Sequence, residues 1–216
     1  MKNKSLWKGL IVMLAAAFVM LAVPVQKVSA AETKLKWGST YSGSINVSKC
    51  YKYAFSLKQS GNVTFVFQVS DAGYAFTSMD EITVLDETGK EVYRIDNVGD
   101  CSLSLDLLAG NYTLRIGMED GMDGCNFTFT PSFKSSKETK SERAMAKNNE
   151  MGTATSYKIG KSVKGQLALN DDIDIYKMRV TKSQYLNLTV SSKLRELNIN
   201  LVNTSGSRDV SISDIE

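Results

Sequence analysis

The chain has 216 residues, with 26 basic and 23 acidic side chains, three cysteines and no histidine. The absence of histidine excludes serine-histidine and cysteine-histidine catalysis, imidazole zinc sites and histidine pH switches. The odd, low cysteine count argues against a scaffold built from disulfides.

The first 30 residues have the features of a secretory signal peptide. Three lysines precede an apolar run, Leu10–Val23, and small residues end the segment at Val28-Ser29-Ala30. The run is shorter than the roughly 20 residues that span a bilayer, so cleavage after Ala30 is favoured over an uncleaved anchor. Cleavage removes four lysines and leaves 22 basic against 23 acidic residues. We therefore predict a secreted or cell-surface protein that binds no nucleic acid and has no later membrane span.

From residue 41 onward, apolar and polar residues alternate with the period of two that is typical of β-strands. Turn residues such as Gly110 and Asn111 separate short segments that each have one apolar face. The clearest segments are 51–57 (YKYAFSL), 62–67 (NVTFVF), 102–107 (SLSLDL), 112–116 (YTLRI) and 126–130 (NFTFT). This pattern predicts an all-β protein whose first domain, residues 31–132, is an antiparallel, jelly-roll-like β-sandwich.

Residues 133–152 are rich in serine, lysine and glutamate and contain almost no large apolar side chain. We predict an exposed polar linker, in which Ser135–Glu138 could begin a short helix.

The pattern of the first domain returns after this linker. Residues 41–47 match 163–169, with Gly43 on Gly165, and 53–67 align without a gap to 176–190. Residues 82–89 then match 199–206. We interpret residues 153–216 as a second copy in a tandem repeat. Counterparts of the last three strands are absent from it, so we predict an incomplete sandwich in a piece of a longer protein.

Residues 148–180 resemble the bacterial pre-peptidase C-terminal domain. The matching features are Asn148-Asn149, Thr153–Thr155, Gly165 and the motif Asp172-x-Asp174-x-Tyr176. The first copy carries the later hairpin signature of this family at Leu107–Ile116. The resemblance implies a secreted β-sandwich, appended to extracellular enzymes or surface proteins, that has no chemistry of its own.

Some members of the family hold calcium between the linker and the acidic turn. This chain departs from the pattern, because the acidic residue usually found before the asparagine pair falls near Ala146 and Lys147. Calcium binding requires six to eight oxygens, which the acidic turn could supply if the linker folds back on it. The alternative is that the aspartates only form a turn and start a strand. The candidate ligands are Asp171, Asp172, Asp174, Asn148, Asn149 and Glu150.

Two further predictions concern single residues. Cys101 and Cys125 are expected to start strands at the same end of the sandwich and to form a disulfide, the alternative being three thiols. Tyr74 and Phe76 lie in a six-residue insertion of the first copy and are candidate exposed aromatic residues for ligand binding.

The sequence therefore predicts a non-catalytic module that binds an extracellular polymer, either matrix protein or polysaccharide, or acts as a spacer. The alternative is the N-terminal accessory part of a secreted hydrolase or peptidase whose catalytic domain lies beyond residue 216.

Overall fold

A computed structural model describes residues 32–45, 49–71, 79–117, 124–183, 185–194, 196–203 and 208–212. The predicted signal peptide, Tyr74 and Phe76 lie outside the described residues. Within these ranges all regular secondary structure is β, and no helix is long and apolar enough to cross a membrane.

In the described residues, the first unit has nine strands that form two sheets. The strands are β1 (Thr33–Lys34), β2 (Tyr41–Ile45), β3 (Tyr51–Leu57), β4 (Gly61–Asp71), β5 (Met79–Asp86), β6 (Glu91–Val98), β7 (Cys101–Leu107), β8 (Gly110–Gly117) and β9 (Cys125–Ser135). Sheet I has the order β1-β3-β8-β5-β6, and sheet II has the order β2-β9-β4-β7. Apart from the parallel pair β1–β3, all neighbours are antiparallel. This alternation of strands between two sheets is that of a jelly roll, and it confirms the predicted antiparallel sandwich.

The side chains between the sheets are the apolar positions that the alternation predicts. Tyr53 and Phe55 of sheet I face Phe65 and Phe129 of sheet II, and all four are almost completely buried. The Tyr53 and Phe129 rings are 4.9 Å apart between centroids, and those of Phe55 and Phe65 are 5.9 Å apart. Edge-to-face pairs of this kind add about 0.5–1.5 kcal/mol each to the contribution of buried area. The aromatic rings therefore hold the two sheets together.

The corner before β8 is held by a buried tyrosine. The Tyr112 hydroxyl donates a hydrogen bond to the Leu108 carbonyl oxygen at 2.9 Å. Burial, followed by the charges of Asp86 and Glu87, raises the pKa of Tyr112 to about 12, so the hydroxyl remains a donor at neutral pH.

The outward side of sheet I carries a buried carboxylate between two arginines. Glu81 on β5 pairs with Arg115 on β8 and lies 3.4 Å from Arg94 on β6. Burial alone would raise the pKa of Glu81. Hydrogen bonds from Thr83 and Arg115, together with the charges of both arginines, outweigh burial and hold this pKa below its ordinary value of 4.5.

The structure contradicts the predicted disulfide. Cys101 on β7 pairs with Phe67 and Cys125 on β9 pairs with Asp71, so β4 lies between the two cysteines. Two strand spacings already separate them by roughly 10 Å, whereas a disulfide requires Cα atoms within about 7 Å. They form no disulfide with each other. The prediction was wrong because it treated segments 102–107, 111–117 and 125–131 as neighbours, whereas β8 belongs to the other sheet.

The segment that follows β9 lies along the sandwich. The Ser136 amide donates to the Ser60 carbonyl at 3.0 Å, the Ala144 amide to Ala109 at 3.0 Å, and the Leu169 amide to Asp106 at 2.9 Å. The short helix considered at residues 135–138 does not form, because Lys137 has a left-handed backbone conformation (φ 58°) that a right-handed helix excludes. Backbone hydrogen bonds thus attach this segment to the first unit at three places.

The beginning of the second unit has the same local geometry as the beginning of the first. Its strands are β10 (Thr155–Ser156), β11 (Tyr176–Lys177), β12 (Ile199–Val202) and β13 (Arg208–Ile212). Thr155 pairs in parallel with Tyr176, as Thr33 does with Tyr53, and a glycine with φ near +80° follows five residues after each threonine. Leu186 and Leu188, which the repeat predicts to face inward, are 38% and 52% exposed. In the described part of the chain, the second unit does not close a sandwich.

We predict that Phe65→Ala lowers the free energy of unfolding by about 3–5 kcal/mol, because it leaves a cavity between the sheets. The matched control is Val66→Ala on the same strand, where the side chain is 48% exposed on the outward side. We expect this change to cost less than about 1 kcal/mol. Denaturant unfolding of both variants measures the difference, and equal losses would contradict the assignment of inward and outward positions.

We predict that Glu81→Gln destabilises the protein at neutral pH by about 1–3 kcal/mol, because a charge-assisted network is lost. The pKa of Glu81 is lowered in the folded state, so its contribution is present above the ordinary carboxyl pKa and disappears as the pH falls through the folded value. Unfolding curves of the wild type and the variant should therefore converge in acid. A difference that stays constant down to low pH would contradict this role of the carboxylate.

Candidate metal centre

A tight turn places Asp171 against the sandwich. Ala168 and Asp171 exchange backbone hydrogen bonds of 3.0 and 2.9 Å, and Asn170 takes the left-handed conformation that the turn requires. Asparagine tolerates this conformation better than most residues do. Since Leu169 is bonded to Asp106 of β7, the turn is attached to sheet II. The Asp171 side chain is consequently fully buried.

The asparagine pair lies beside the strand that follows this turn. The Ile175 amide donates to the Asn148 carbonyl at 3.1 Å, and the Thr155 amide donates to Ile175 at 2.8 Å. The linker therefore folds back on the acidic turn, which is the arrangement that the calcium prediction required.

Three carboxylates meet at this junction. Glu142, Asp171 and Asp174 each place an oxygen within 4.8 Å of the other two. Two of them, Asp171 and Asp174, were predicted from the sequence, and Glu142 was missed. Asp172 and Glu150 are exposed and lie outside the cluster.

Asn148 organises two of the three carboxylates. Its backbone amide donates to Glu142 at 3.0 Å. With its side-chain nitrogen facing the cluster, the amide donates to Glu142 at 3.2 Å and to Asp174 at 2.9 Å, while its oxygen accepts from Thr155 at 3.2 Å. This orientation satisfies the whole amide group.

Asp171 is the least satisfied group of the cluster. Neither of its carboxylate oxygens has a partner in hydrogen-bond geometry, although neither is exposed. Burial raises the pKa of Asp171, the nearby Asn149 amide lowers it, and the charge of Asp174 raises it again. The charge of Lys147 and the nearby Glu142 side chain lower it, and the net effect is a rise. The Asn149 side-chain oxygen is also buried without a partner. The junction thus contains side-chain oxygens without a hydrogen-bond partner both in the linker (Asn149) and in the acidic turn (Asp171).

The electrostatics of the cluster reflect this crowding of negative charge. Burial, followed by a hydrogen bond shared with Asp174, raises the pKa of Glu142 to about 8. Burial and the charge of Asp174 also raise the pKa of Glu138 and that of Tyr176. The charge of Lys147 offsets only part of the repulsion among three close carboxylates, so the junction favours the uptake of a proton or a cation.

Gly165 allows the turn and the strand to approach closely. A Cβ atom at this position would lie 2.6 Å from the Tyr176 hydroxyl and 2.8 Å from a carboxylate oxygen of Asp174. Gly43 is also closely packed, but against other residues: its Cβ would lie 2.6 Å from the ring of Phe127 and 2.9 Å from that of Tyr51.

The residues fit a calcium ion. All the donors are carboxylate or amide oxygens, which are the ligands of hard cations, whereas sulfur or imidazole would indicate a transition metal. Oxygens that bind one Ca²⁺ at about 2.4 Å are at most about 4.8 Å apart, and the cluster meets this limit. Glu142, Asp171 and Asp174 would hold the ion, with Asn149 as a further oxygen donor. The signal that could have identified Glu142 is its position as the first carboxylate upstream of Asn148.

No protein-family model matches the chain, and no curated protein matches it. Several solved structures have a similar fold. The pre-peptidase C-terminal domain of a Bacillus anthracis collagenase is 13% identical with a TM-score of 0.38, covering 47% of this chain and 94% of that one. Aeromonas hydrophila PliG, a periplasmic inhibitor of g-type lysozyme, is 11% identical with a TM-score of 0.37, covering 48% and 96%.

The carbohydrate-binding module CBM36, solved with calcium and xylotriose, is 13% identical with a TM-score of 0.29, covering 46% and 93%. These likenesses concern the fold alone.

We predict that Gly165→Ala loosens the junction, because its methyl group displaces Tyr176 and Asp174. Hydrogen exchange of the Thr155 and Ile175 amides should become faster, since both report local opening of this segment. Gly152→Ala is the control, because a Cβ there meets nothing within 4 Å. Unchanged exchange in Gly165→Ala, or equal acceleration in both variants, would contradict the close packing.

Proposed function

We propose that this chain is a non-catalytic, secreted or cell-surface module that binds an extracellular polymer or spaces other domains along it. In this proposal Ca²⁺ at the junction of Glu142, Asp171 and Asp174 fixes the second unit to the sandwich. The calcium part of this proposal depends most on one observation: the carboxylate of Asp171 is fully buried and has no partner in hydrogen-bond geometry.

A buried carboxylate of this kind is costly without a counter-charge. Burying an unpaired ionised group costs several kcal/mol, and two further carboxylates nearby increase the cost. Glu81, by comparison, is buried with two arginines and a threonine as partners. A bound cation would turn the repulsion at the junction into attraction and would supply the partner that Asp171 lacks.

The three carboxylates come from different stretches of the chain. Glu142 belongs to the segment bonded to Ala109, Asp171 to the turn bonded to Asp106, and Asp174 to the segment that leads into β11. An ion bound to all three would cross-link these stretches, so it would set the direction in which the second unit leaves the sandwich.

One observation supports a structural role for the cluster over a catalytic one. Asp171 is fully buried, so a polymeric substrate has no access to its oxygens. We further propose that residues 153–216 are a second copy of the same domain, a reading supported by the matching pairs Thr33–Tyr53 and Thr155–Tyr176.

We predict that Ca²⁺ binds to the mature chain and raises its melting temperature. Calcium sites of extracellular modules have dissociation constants of about 10⁻⁴–10⁻³ M. At a calcium concentration of about 100 times that constant, the free energy of unfolding should increase by about 2.7 kcal/mol. Titration calorimetry and thermal unfolding with and without Ca²⁺ measure both quantities.

Asp171→Asn should abolish this response. The variant should be at least as stable as the wild type without calcium, because a neutral amide replaces a buried charge. Asp172→Asn is the control that separates the cluster from its exposed neighbour, and it should keep the full response. A wild type with neither heat nor a melting shift would exclude the calcium site. A loss in Asp172→Asn alone would place the site elsewhere in the turn.

A further inference from the structure

The outward side of sheet II carries a regular array of uncharged polar side chains. The pairing of β2, β9, β4 and β7 places them in rows across the strands. The first two rows are Ser44–Asn126–Ser70 and Ser42–Thr128–Gln68. The rows lie about 6.7 Å apart and the strands about 4.8 Å apart, so the groups form a flat grid.

Two more rows continue the same chemistry. They are Thr130–Val66–Ser102 and Ser132–Thr64–Ser104. We call the twelve residues of these four rows the polar face. Eleven of them are serine, threonine, asparagine or glutamine, and the twelfth is Val66. Charged residues lie at both ends of the polar face. Lys134 and Asp106 flank Asn62 beyond the fourth row, and at the opposite end the Asp100 carboxylate accepts a hydrogen bond from the Val69 amide at 2.7 Å.

The twelve residues of the polar face are uncharged, whereas other parts of the protein surface carry charged side chains. Charged residues make up 23% of the chain, so twelve positions taken at random would include about three. The outward side of sheet I shows this more usual composition, with Lys52, Glu81, Arg94, Asp96 and Arg115. The polar face therefore differs in chemistry from the opposite side of the same sandwich.

This composition argues against most classes of partner. Nucleic acids and anionic polymers require lysine or arginine, and the polar face has neither. Membranes and most protein partners require apolar, aromatic or arginine side chains, whereas serine and threonine are under-represented among the residues that dominate protein binding. A neutral polymer rich in hydroxyl groups matches it in charge and in hydrogen-bonding capacity, because each hydroxyl offers one donor and two acceptors. Thr64 and Ser104 already donate to Asn62, and Thr128 donates to Gln68, so these three hydroxyls offer their acceptor positions.

A groove gives the polar face a place to engage such a chain. It has a volume of about 490 Å³ and lies at the end of the grid where Ser42, Gln68, Ser70 and Asn126 meet. This volume is within the range of small-ligand sites. The carboxylate residue Asp100 also lines this groove, and Gly43 contributes backbone to its floor.

We propose that the polar face binds a neutral polysaccharide, an inference that rests on the proposed polymer-binding function and names its partner. Hydroxyl and amide groups of successive rows exchange hydrogen bonds with the hydroxyls of successive sugar units. Replacing a hydrogen bond to water with one to a sugar changes the free energy only slightly. A single sugar unit therefore binds weakly, and a long chain binds because it makes many such contacts.

The test measures retention of the mature full-length chain, with Ca²⁺ present, on insoluble cellulose, chitin and xylan, and on fibrous collagen as a protein polymer. We expect retention on at least one of the polysaccharides. Because the polymer is neutral, the retained fraction should not change between about 0.05 and 0.2 M salt, a range over which lysine-dependent binding falls steeply.

Two variants change residues of the polar face, and two controls change residues on the outward side of sheet I. Thr64→Val with Thr128→Val removes two hydroxyls and keeps the shape and strand propensity, and Ser102→Glu adds a charge. Each should reduce binding about tenfold, the loss expected for two hydrogen bonds or for a charge placed against a neutral chain. On the outward side of sheet I, Thr113→Val removes one hydroxyl and Ser56→Glu adds a charge, and both controls should bind as the wild type does.

The outcomes separate this inference from the proposed function. Polysaccharide binding that the face variants leave intact would overturn the polar face as the site, and the polymer-binding function would stand. Retention on collagen alone, or binding that falls steeply with salt, would overturn the neutral polysaccharide as the partner. Retention on none of the four polymers would overturn the inference and polymer binding together, while the calcium response is measured independently of both.

Discussion

The aromatic packing between the two sheets determines which side of every strand faces outward. Phe65 and Phe129 of sheet II pack against Tyr53 and Phe55 of sheet I, and side chains alternate strictly along each strand. A slip of one residue in any pairing would exchange the buried and exposed sides of that strand. The core thus sets the register of sheet II, and this register aligns the polar side chains of its outward face into rows. The same register fixes the backbone of β7, to which the turn before Asp171 is bonded.

The junction after β9 differs from the core in what it contributes to stability. The core combines apolar burial with complete backbone pairing, whereas the junction gathers carboxylates whose charges oppose one another. Its geometry is maintained by backbone hydrogen bonds to Asn148 and Asp106 and by the side-chain amide of Asn148. Features that lower stability locally and are held in place by their surroundings commonly mark functional sites. The raised pKa values of Glu138, Glu142 and Asp171 are the electrostatic expression of the same arrangement.

Local patterns in the sequence predicted the strands and their buried sides, because the alternation of Tyr53, Phe55 and Leu57 depends only on neighbouring residues. The order of strands within a sheet is not a local property, and the pairing of Cys101 with Cys125 failed for this reason. Glu142 was missed because a ligand six residues before Asn148 is brought to the site by the path of the linker and not by spacing in a motif. The polar positions of the outward face are visible in the sequence, but their alignment into rows follows from the pairing of β9 with β2 and β4.

The central place of β9 in sheet II determines the order in which the protein can be built during synthesis. Both β2 and β4 take β9 as a neighbour, yet β9 ends at Ser135, long after the other two strands have been made. During synthesis, β2 and β4 therefore lack their partner strand β9, and their apolar sides stay uncovered, until most of the first unit has been made. Contacts between residues so far apart in sequence form slowly, because a long loop must close first. During this interval the unpaired β-strands are exposed to other chains, and the completed sandwich removes that exposure in one late step.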